Sequence, residues 1–334
     1  MRFFLDIIPI VTQSLHSTHF RVWHIMIWKI ALLPLSSVPA IMRPMVNQLL
    51  NAMRPKQWVK NGILFTALVF DQQLLHLSSL LRTLGGFFIF CMGASAVYLI
   101  NDLVDLEQDR QHPLKRKRPL ASGKLSKNAA ATAAIIFSIV ALGLGFWLEM
   151  KFGLIILAYM VLNLVYSFYL KNIPIIDVLV IAAGFVLRVG AGVVLVTVQR
   201  FSPWMYVCVT LISLFMGLGK RRAEMVLLAD NANSHRRVLD GYTLSFIDHL
   251  LSIVSSTTIL AYSLYTFSAE NLPPNHLMML TIPFVIYGIF RYLYLVHVQA
   301  EGGAPEELLL SDKPLMATVA LWGITSVAIL YFSI

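Results

Sequence analysis

Charge is scarce in this chain. Only 13% of its 334 residues are Asp, Glu, Lys or Arg, whereas 58% are hydrophobic, and the mean hydropathy is +0.74. A soluble domain of this length needs more charge to cover its surface, so that class is excluded and an integral membrane protein is implied. Acidic residues are scarcer than basic ones: 17 against 26, a net charge of +9. In a membrane protein such an excess marks the loops on one side and anionic ligands or lipid. No DNA- or RNA-binding pattern accompanies it, so nucleic acid is not an expected partner. Cysteine is almost missing. Cys91 and Cys208 both lie inside apolar runs, which points to buried thiols and excludes a disulfide framework.

What is present is a series of apolar segments. From Arg54 onward they fall near 61–76, 84–100, 129–149, 152–170, 174–198, 202–219, 247–268, 277–297 and 315–333. Most have the length that crosses a bilayer core of about 30 Å. The expectation is nine helices, the first the weakest because only Gly62–Phe70 is continuously apolar. Residues 1–52 read as an N-terminal extension of uncertain role, and 53–334 as the membrane domain. Val22–Met42 is interrupted by His24, Lys29, Pro34 and Pro39, and fits neither a signal peptide nor a clean span. The internal methionines Met42, Met45 and Met53 leave open a later start.

Everything else is arranged around NDLVDLEQDRQHPLKRKRPLASG, Asn101–Gly123. It opens on Asp102, Asp105 and Asp109, then turns basic through Arg110, Lys115, Arg116, Lys117 and Arg118. On one continuous helix those acids would share a face. Clustered carboxylates repel unless a cation sits among them, and an oxygen-only set suits Mg²⁺, which bridges to substrate phosphates. The adjoining cations suit a pyrophosphate. The plainer alternative is a solvated loop whose Lys and Arg set topology. Counted over the loops, the side carrying this motif holds seventeen Lys and Arg, whereas the other side holds only Arg82, Lys151 and Arg200. That bias places the motif in the cytoplasm.

Further signals fall on the same side. A second long loop, Lys220–Phe246, opens KRRAE (Lys220, Arg221, Arg222, Ala223, Glu224) and adds His235, Arg236 and Arg237. Glu301–Pro314 is acidic and punctuated by Gly and Pro, and reads equally as a capped turn or a functional loop. Inside the spans, Arg188 is expected to face a polar cavity or an anion. Asp177 is about 16 Å away along the same helix, so it cannot be the partner of Arg188. Arg291, nearer a helix end, is explained by snorkelling.

The NDxxDxxxD pattern after the second apolar segment resembles the UbiA prenyltransferase superfamily. More narrowly, five blocks resemble its decaprenyl-phosphate phosphoribosyltransferase branch: RPKQWVKN (Arg54–Asn61), Asn101–Gly123, YSFYLKNIPIIDVLVIAAGFVLRVGAG (Tyr166–Gly192), KRRAE, and GGAPEELLLSDKPL (Gly302–Leu315). The resemblance implies an all-α integral membrane bundle around a central cavity open to the cytoplasm, in a bacterial inner membrane. It implies Mg²⁺-dependent transfer of 5-phosphoribosyl from phosphoribosyl pyrophosphate to a polyprenyl phosphate, in cell-envelope synthesis. Asn101, Asp102, Asp105 and Asp109 then take the metal and the donor's pyrophosphate, assisted by Arg110, Lys115, Arg116 and Arg118. Lys60, Arg188, Lys220, Arg221 and Arg222 are candidate phosphate contacts, and Tyr166 and Lys171 could meet the ribose phosphate. One departure discriminates: the wider superfamily carries a second Asp-rich motif where this chain has KRRAE. Paired Asp motifs suit ionisation of a prenyl diphosphate, whereas cations suit an incoming monophosphate. Two alternatives stand beside this: a prenyltransferase with an aromatic or haem-like acceptor, and a non-enzymatic lipid or solute transporter. The sequence leaves oligomer formation open.

Overall fold

The computed structural model describes residues 43–112, 115–196, 198, 202–229, 237–299 and 301–332. Val22–Met42, Pro113–Leu114, Arg200, His235 and Arg236 lie outside the described residues, as do the side chains of Arg237 and Glu306. The chain divides at Leu49–Leu50, and the body below is the second unit, Leu50–Ile334.

In order, the elements are α1 (Arg43–Ala52), a 3₁₀ helix (Pro55–Leu64) running into α2 (Phe65–Phe70), α3 (Leu77–Val104) and α4 (Leu106–Gln111). They continue with α5 (Lys127–Leu148), α6 (Met150–Phe168), α7 (Ile176–Leu195), α8 (Pro203–Ala229) and α9 (Leu244–Ser268). Then come α10 (Ile282–His297), α11 (Pro305–Ser311) and α12 (Lys313–Phe332). Among the described residues there is no strand, and eight helices are long and apolar enough to cross a membrane. Their outer faces carry side chains no aqueous surface tolerates in such number: Ile139 is 66% exposed, Ile253 62% and Ile324 67%. Such faces belong against lipid. Because the connections are short and alternate, α3, α6, α8 and α10 end at the same end of the bundle where α5, α7, α9 and α12 begin. Ordinary caps open two of these: Ser126 Oγ accepts from Ala129 N (3.2 Å) at α5, and Thr243 Oγ1 from Phe246 N (3.1 Å) at α9.

The expected first helix, 61–76, is not one. A ten-residue 3₁₀ helix takes its place, followed by six α-helical residues. At about 2.0 and 1.5 Å per residue these reach about 29 Å, close to the hydrocarbon thickness. The segment starts beside Asp102, which pairs with Arg54. At the opposite end Leu74 N donates to Tyr331 Oη (3.0 Å). A 3₁₀ run this long is uncommon, and close packing on α7 accompanies it. A Cβ on Gly192 would sit 2.1 Å from the Leu64 carbonyl oxygen, so only glycine lets the two backbones meet there.

Two further boundaries differ from expectation. α8 does not stop near 219 but runs to Ala229, so KRRAE is a turn of helix whose side chains diverge to different partners rather than the start of a loop. The Glu301–Pro314 connection contains α11 and ends on Asp312, whose Oδ1 accepts from Leu315 N (2.8 Å) and caps α12. Arg291 does not merely snorkel. It forks onto Asp312 at 3.2 and 2.7 Å, and that hydrogen bond holds the Asp312 carboxyl below its usual range.

Candidate functional site: an acid–guanidinium cluster beside a cationic cavity

α3 ends at Val104, and Asp105 breaks the helix (φ −90°, ψ 8°) before α4 begins. Backbone bonds still run through the break, from Asp105 N to Asn101 O (2.9 Å) and from Asp109 N to Asp105 O (2.8 Å), but the three acids divide by partner. Asp102 and Asp109, both buried, turn towards each other across the break: Arg118 Nη1 lies 3.1 Å from Asp102 Oδ1 and 2.5 Å from Asp109 Oδ2. Asp105 goes elsewhere, to an ion pair with Lys171 from the α6–α7 connection. Among the described residues no three metal-binding side chains converge. The expected cluster of three acids is divided between Arg118, on Asp102 and Asp109, and Lys171, on Asp105. Two carboxylates drawn to one cationic nitrogen are still an all-oxygen donor set focused on a point, and such a set fits Mg²⁺ with its retained waters. Asn101 Oδ1 accepts from Ser167 Oγ (3.0 Å), tying α3 to α6 at this level.

Arg54 was not foreseen. It forms an ion pair with Asp102 and its guanidinium lies 5.0 Å from the centre of the Tyr98 ring. The signal was present, since Arg54 opens the RPKQWVKN block, but only the fold shows that it meets Asp102.

A cavity of about 230 Å³ has walls that include Lys60, Tyr98, Tyr159, Tyr166, Arg188, Lys220 and Pro305; Asp102, Asp105 and Asp109 are not among its lining residues. Arg188 is 5% exposed. Its Nε donates to Asn61 Oδ1 (2.7 Å), Nη1 to the Gly184 carbonyl (2.9 Å) and Nη2 to Tyr159 Oη (2.9 Å). Phe90, Tyr159 and Phe185 rings surround the guanidinium at 5.4, 4.7 and 5.3 Å. Asn61 and Tyr159 come from other elements, as expected, and Gly184 lies one turn back on α7 itself; Asp177 is not among the partners, and all three are neutral. Asn61, a second unforeseen residue, also donates to Cys91 Sγ (3.1 Å).

Two expected phosphate contacts are committed elsewhere. Arg221, 1% exposed, donates to Asp177 Oδ2 (2.5 Å) and Tyr166 Oη (3.3 Å) and pairs with Glu224. Asp177 in turn accepts from Tyr242 Oη at 2.7 Å, and burial pushes that phenol well above its usual range, which keeps it a donor. Arg222 donates to Asp248 (2.7 Å) and the Val296 carbonyl (2.9 Å). Neither lines the cavity. On the other flank Arg110 pairs with Glu107 at 3.0 Å on an exposed face, Arg116 is exposed, and Lys115 sits on the 3₁₀ turn that follows His112. Burial, then Lys115, lowers the His112 pKa, in keeping with a neutral ring whose Nδ1 accepts from Lys115 N (3.3 Å). Of the basic run, Arg118 meets both buried acids.

The bundle defines the class: a multi-pass, all-helical membrane protein whose ionic groups gather at one end. Residues 63–301 match the UbiA prenyltransferase family, and the chain belongs to that family. It is 34% identical over 292 residues to a decaprenyl-phosphate phosphoribosyltransferase of Corynebacterium glutamicum, covering 83% of this chain and 85% of that one. A protein of the same name from Mycolicibacterium smegmatis is 32% identical over 311 residues, covering 86% and 94%. Among solved structures, a UbiA homologue of Archaeoglobus fulgidus bound to GPP and Mg²⁺ superposes with a TM-score of 0.66 at 21% identity, over 85% of this chain and 99% of that one.

Proposed function

We propose that this protein transfers 5-phosphoribosyl from phosphoribosyl pyrophosphate to a polyprenyl phosphate of the decaprenyl kind, releasing pyrophosphate. The observation that carries the reading is Arg188: a buried guanidinium within a membrane span, surrounded by neutral partners, on the wall of a cavity shared with Lys60 and Lys220. A charge so placed calls for an anion. The two relatives' shared name supplies the substrates.

In this reading Lys60, Arg188 and Lys220 hold the lipid phosphate. A phosphate oxygen attacks C1 of the ribose, the bond from C1 to the pyrophosphate oxygen breaks, and pyrophosphate leaves with the electron pair. The lipid phosphate is already ionised near neutral pH, so no general base is assigned. Asp102 and Asp109 would hold Mg²⁺, which when bound offsets charge growing on the pyrophosphate. Arg118 stays beside the leaving group, with Arg110, Lys115 and Arg116 on the approach. Tyr166 and Lys171 face the ribose phosphate, Lys171 being oriented by Asp105. Arg221 sets the position of Tyr166 instead of meeting a phosphate. Alignment of two ionic reactants supplies most of the acceleration. The catalytic body is residues 53–334, with 1–52 an N-terminal extension to which no role is assigned, and the site opens to the cytoplasm, the side that the excess of Lys and Arg selects.

The test is to supply the purified protein with labelled phosphoribosyl pyrophosphate, Mg²⁺ and polyprenyl phosphate. A labelled lipid that Asp109→Asn fails to make is the expected product. Consumption of a prenyl diphosphate with no label entering lipid would instead establish the prenyltransferase alternative.

A further inference from the structure

We propose that Arg54 belongs to the donor site: it competes with a divalent cation for Asp102 and, when displaced, binds the donor's pyrophosphate. The proposal rests on the transferase reading for the identity of the donor, though not for the competition itself.

The charge balance around the buried acids motivates it. Asp102 Oδ1 receives both Arg54 and Arg118, and Arg118 also reaches Asp109. Arg118 alone satisfies the geometry of both acids. Arg54 supplies the second positive charge that two carboxylates require, the acids being only 2% and 3% exposed. A divalent ion on the same oxygens brings both charges at once. It therefore releases two guanidinium groups next to the point where an anion would dock. Guanidinium matches phosphate oxygens with two parallel hydrogen bonds, which suits it to the second role.

The backbone shows that Arg54 is aimed there. Its φ of 56° and ψ of 62° are left-handed, a conformation that residues with a Cβ rarely adopt. Neighbours hold the turn in place: Arg54 N donates to Asn51 O (3.2 Å), Gln57 N to Arg54 O (2.8 Å), and Ser95 Oγ to Met53 O (3.2 Å). Strained positions of this kind persist where surrounding structure over-determines them, and they cluster at ligand clamps. The turn carries the side chain over the ring of Tyr98, which also lines the cavity, to Asp102. The Arg54 side chain is 23% exposed, accessible to a ligand as the 1% exposed Arg221 is not.

Arg54→Gly separates this role from a structural one, because glycine removes the guanidinium and accepts the positive φ without strain. The full-length protein is titrated with Mn²⁺ in the absence of donor, followed by electron paramagnetic resonance, and its KM for each substrate is then measured. Arg54→Gly should bind Mn²⁺ at least about threefold more tightly, since a competing cation is gone. Its KM for phosphoribosyl pyrophosphate should rise about tenfold or more, with the lipid KM within about twofold of wild type. Arg54→Lys, which keeps the charge but not the fork, should fall between. Unchanged or weaker Mn²⁺ binding, or an unchanged donor KM, overturns the inference. If wild type fails to label the lipid, the transferase reading falls, while the Mn²⁺ competition is still decided by Arg54 alone.

Discussion

Two arginines inside membrane helices are almost equally buried, and their surroundings differ in one respect. Arg221 on α8 meets two carboxylates, Asp177 and Glu224, and a phenol. Arg188 on α7 meets an amide, a carbonyl and a phenol, with aromatic rings about it. In the first case the positive charge is answered within the protein; in the second it is solvated by dipoles and left on a cavity wall. Burial alone therefore does not separate the two arginines; the charge of their partners does.

The largest effect that could break this comparison is expected at Arg221. Arg221→Met leaves Asp177 buried without its counter-charge and should cost about 3–5 kcal/mol, seen as a fall in the thermal unfolding midpoint in detergent. Adding Asp177→Leu should recover most of that loss, since an apolar pair can replace a buried ion pair. If the double variant stays as unstable as the single one, the ion pair is not what the region needs. Arg188→Met should behave oppositely. Turnover should fall by about 10²–10³-fold, the scale of losing one preorganised charge contact, with a smaller change in midpoint than Arg221→Met. Equal instability in both variants would erase the distinction. The smallest effect is expected at Gly192→Ala. The added Cβ presses the Leu64 carbonyl, should cost about 1–3 kcal/mol of overpacking, and should slow turnover by loosening Asn61 from Arg188. Arg221 and its partners should be untouched, so an intact rate would show that the 3₁₀ helix does not position Arg188.

Several of these features were legible in the order of residues. Eight of the nine expected spans, the abrupt acid-to-base run after α3, the intramembrane Arg188 and the exclusion of Asp177 as its partner all follow from composition and spacing. The misses share one cause. The regular spacing of the three acids hides their division, because Lys171, which takes the Asp105 carboxylate, lies 66 residues away along the chain. Arg221 and Arg222 looked like cations waiting for phosphate because Asp177 and Asp248 lie 44 and 26 residues away along the chain. Arg54 escaped attention for the same reason, its partner being 48 residues distant.

Local sequence thus determined which segments leave water and at which end the ionic side chains gather, because hydropathy and charge act residue by residue wherever the chain goes. Tertiary structure decided which charges are cancelled by carboxylates and which are left with neutral partners on a cavity wall. That outcome depends on distances of a few ångströms between helices remote in sequence, and at low dielectric those distances set the energy of every ion pair.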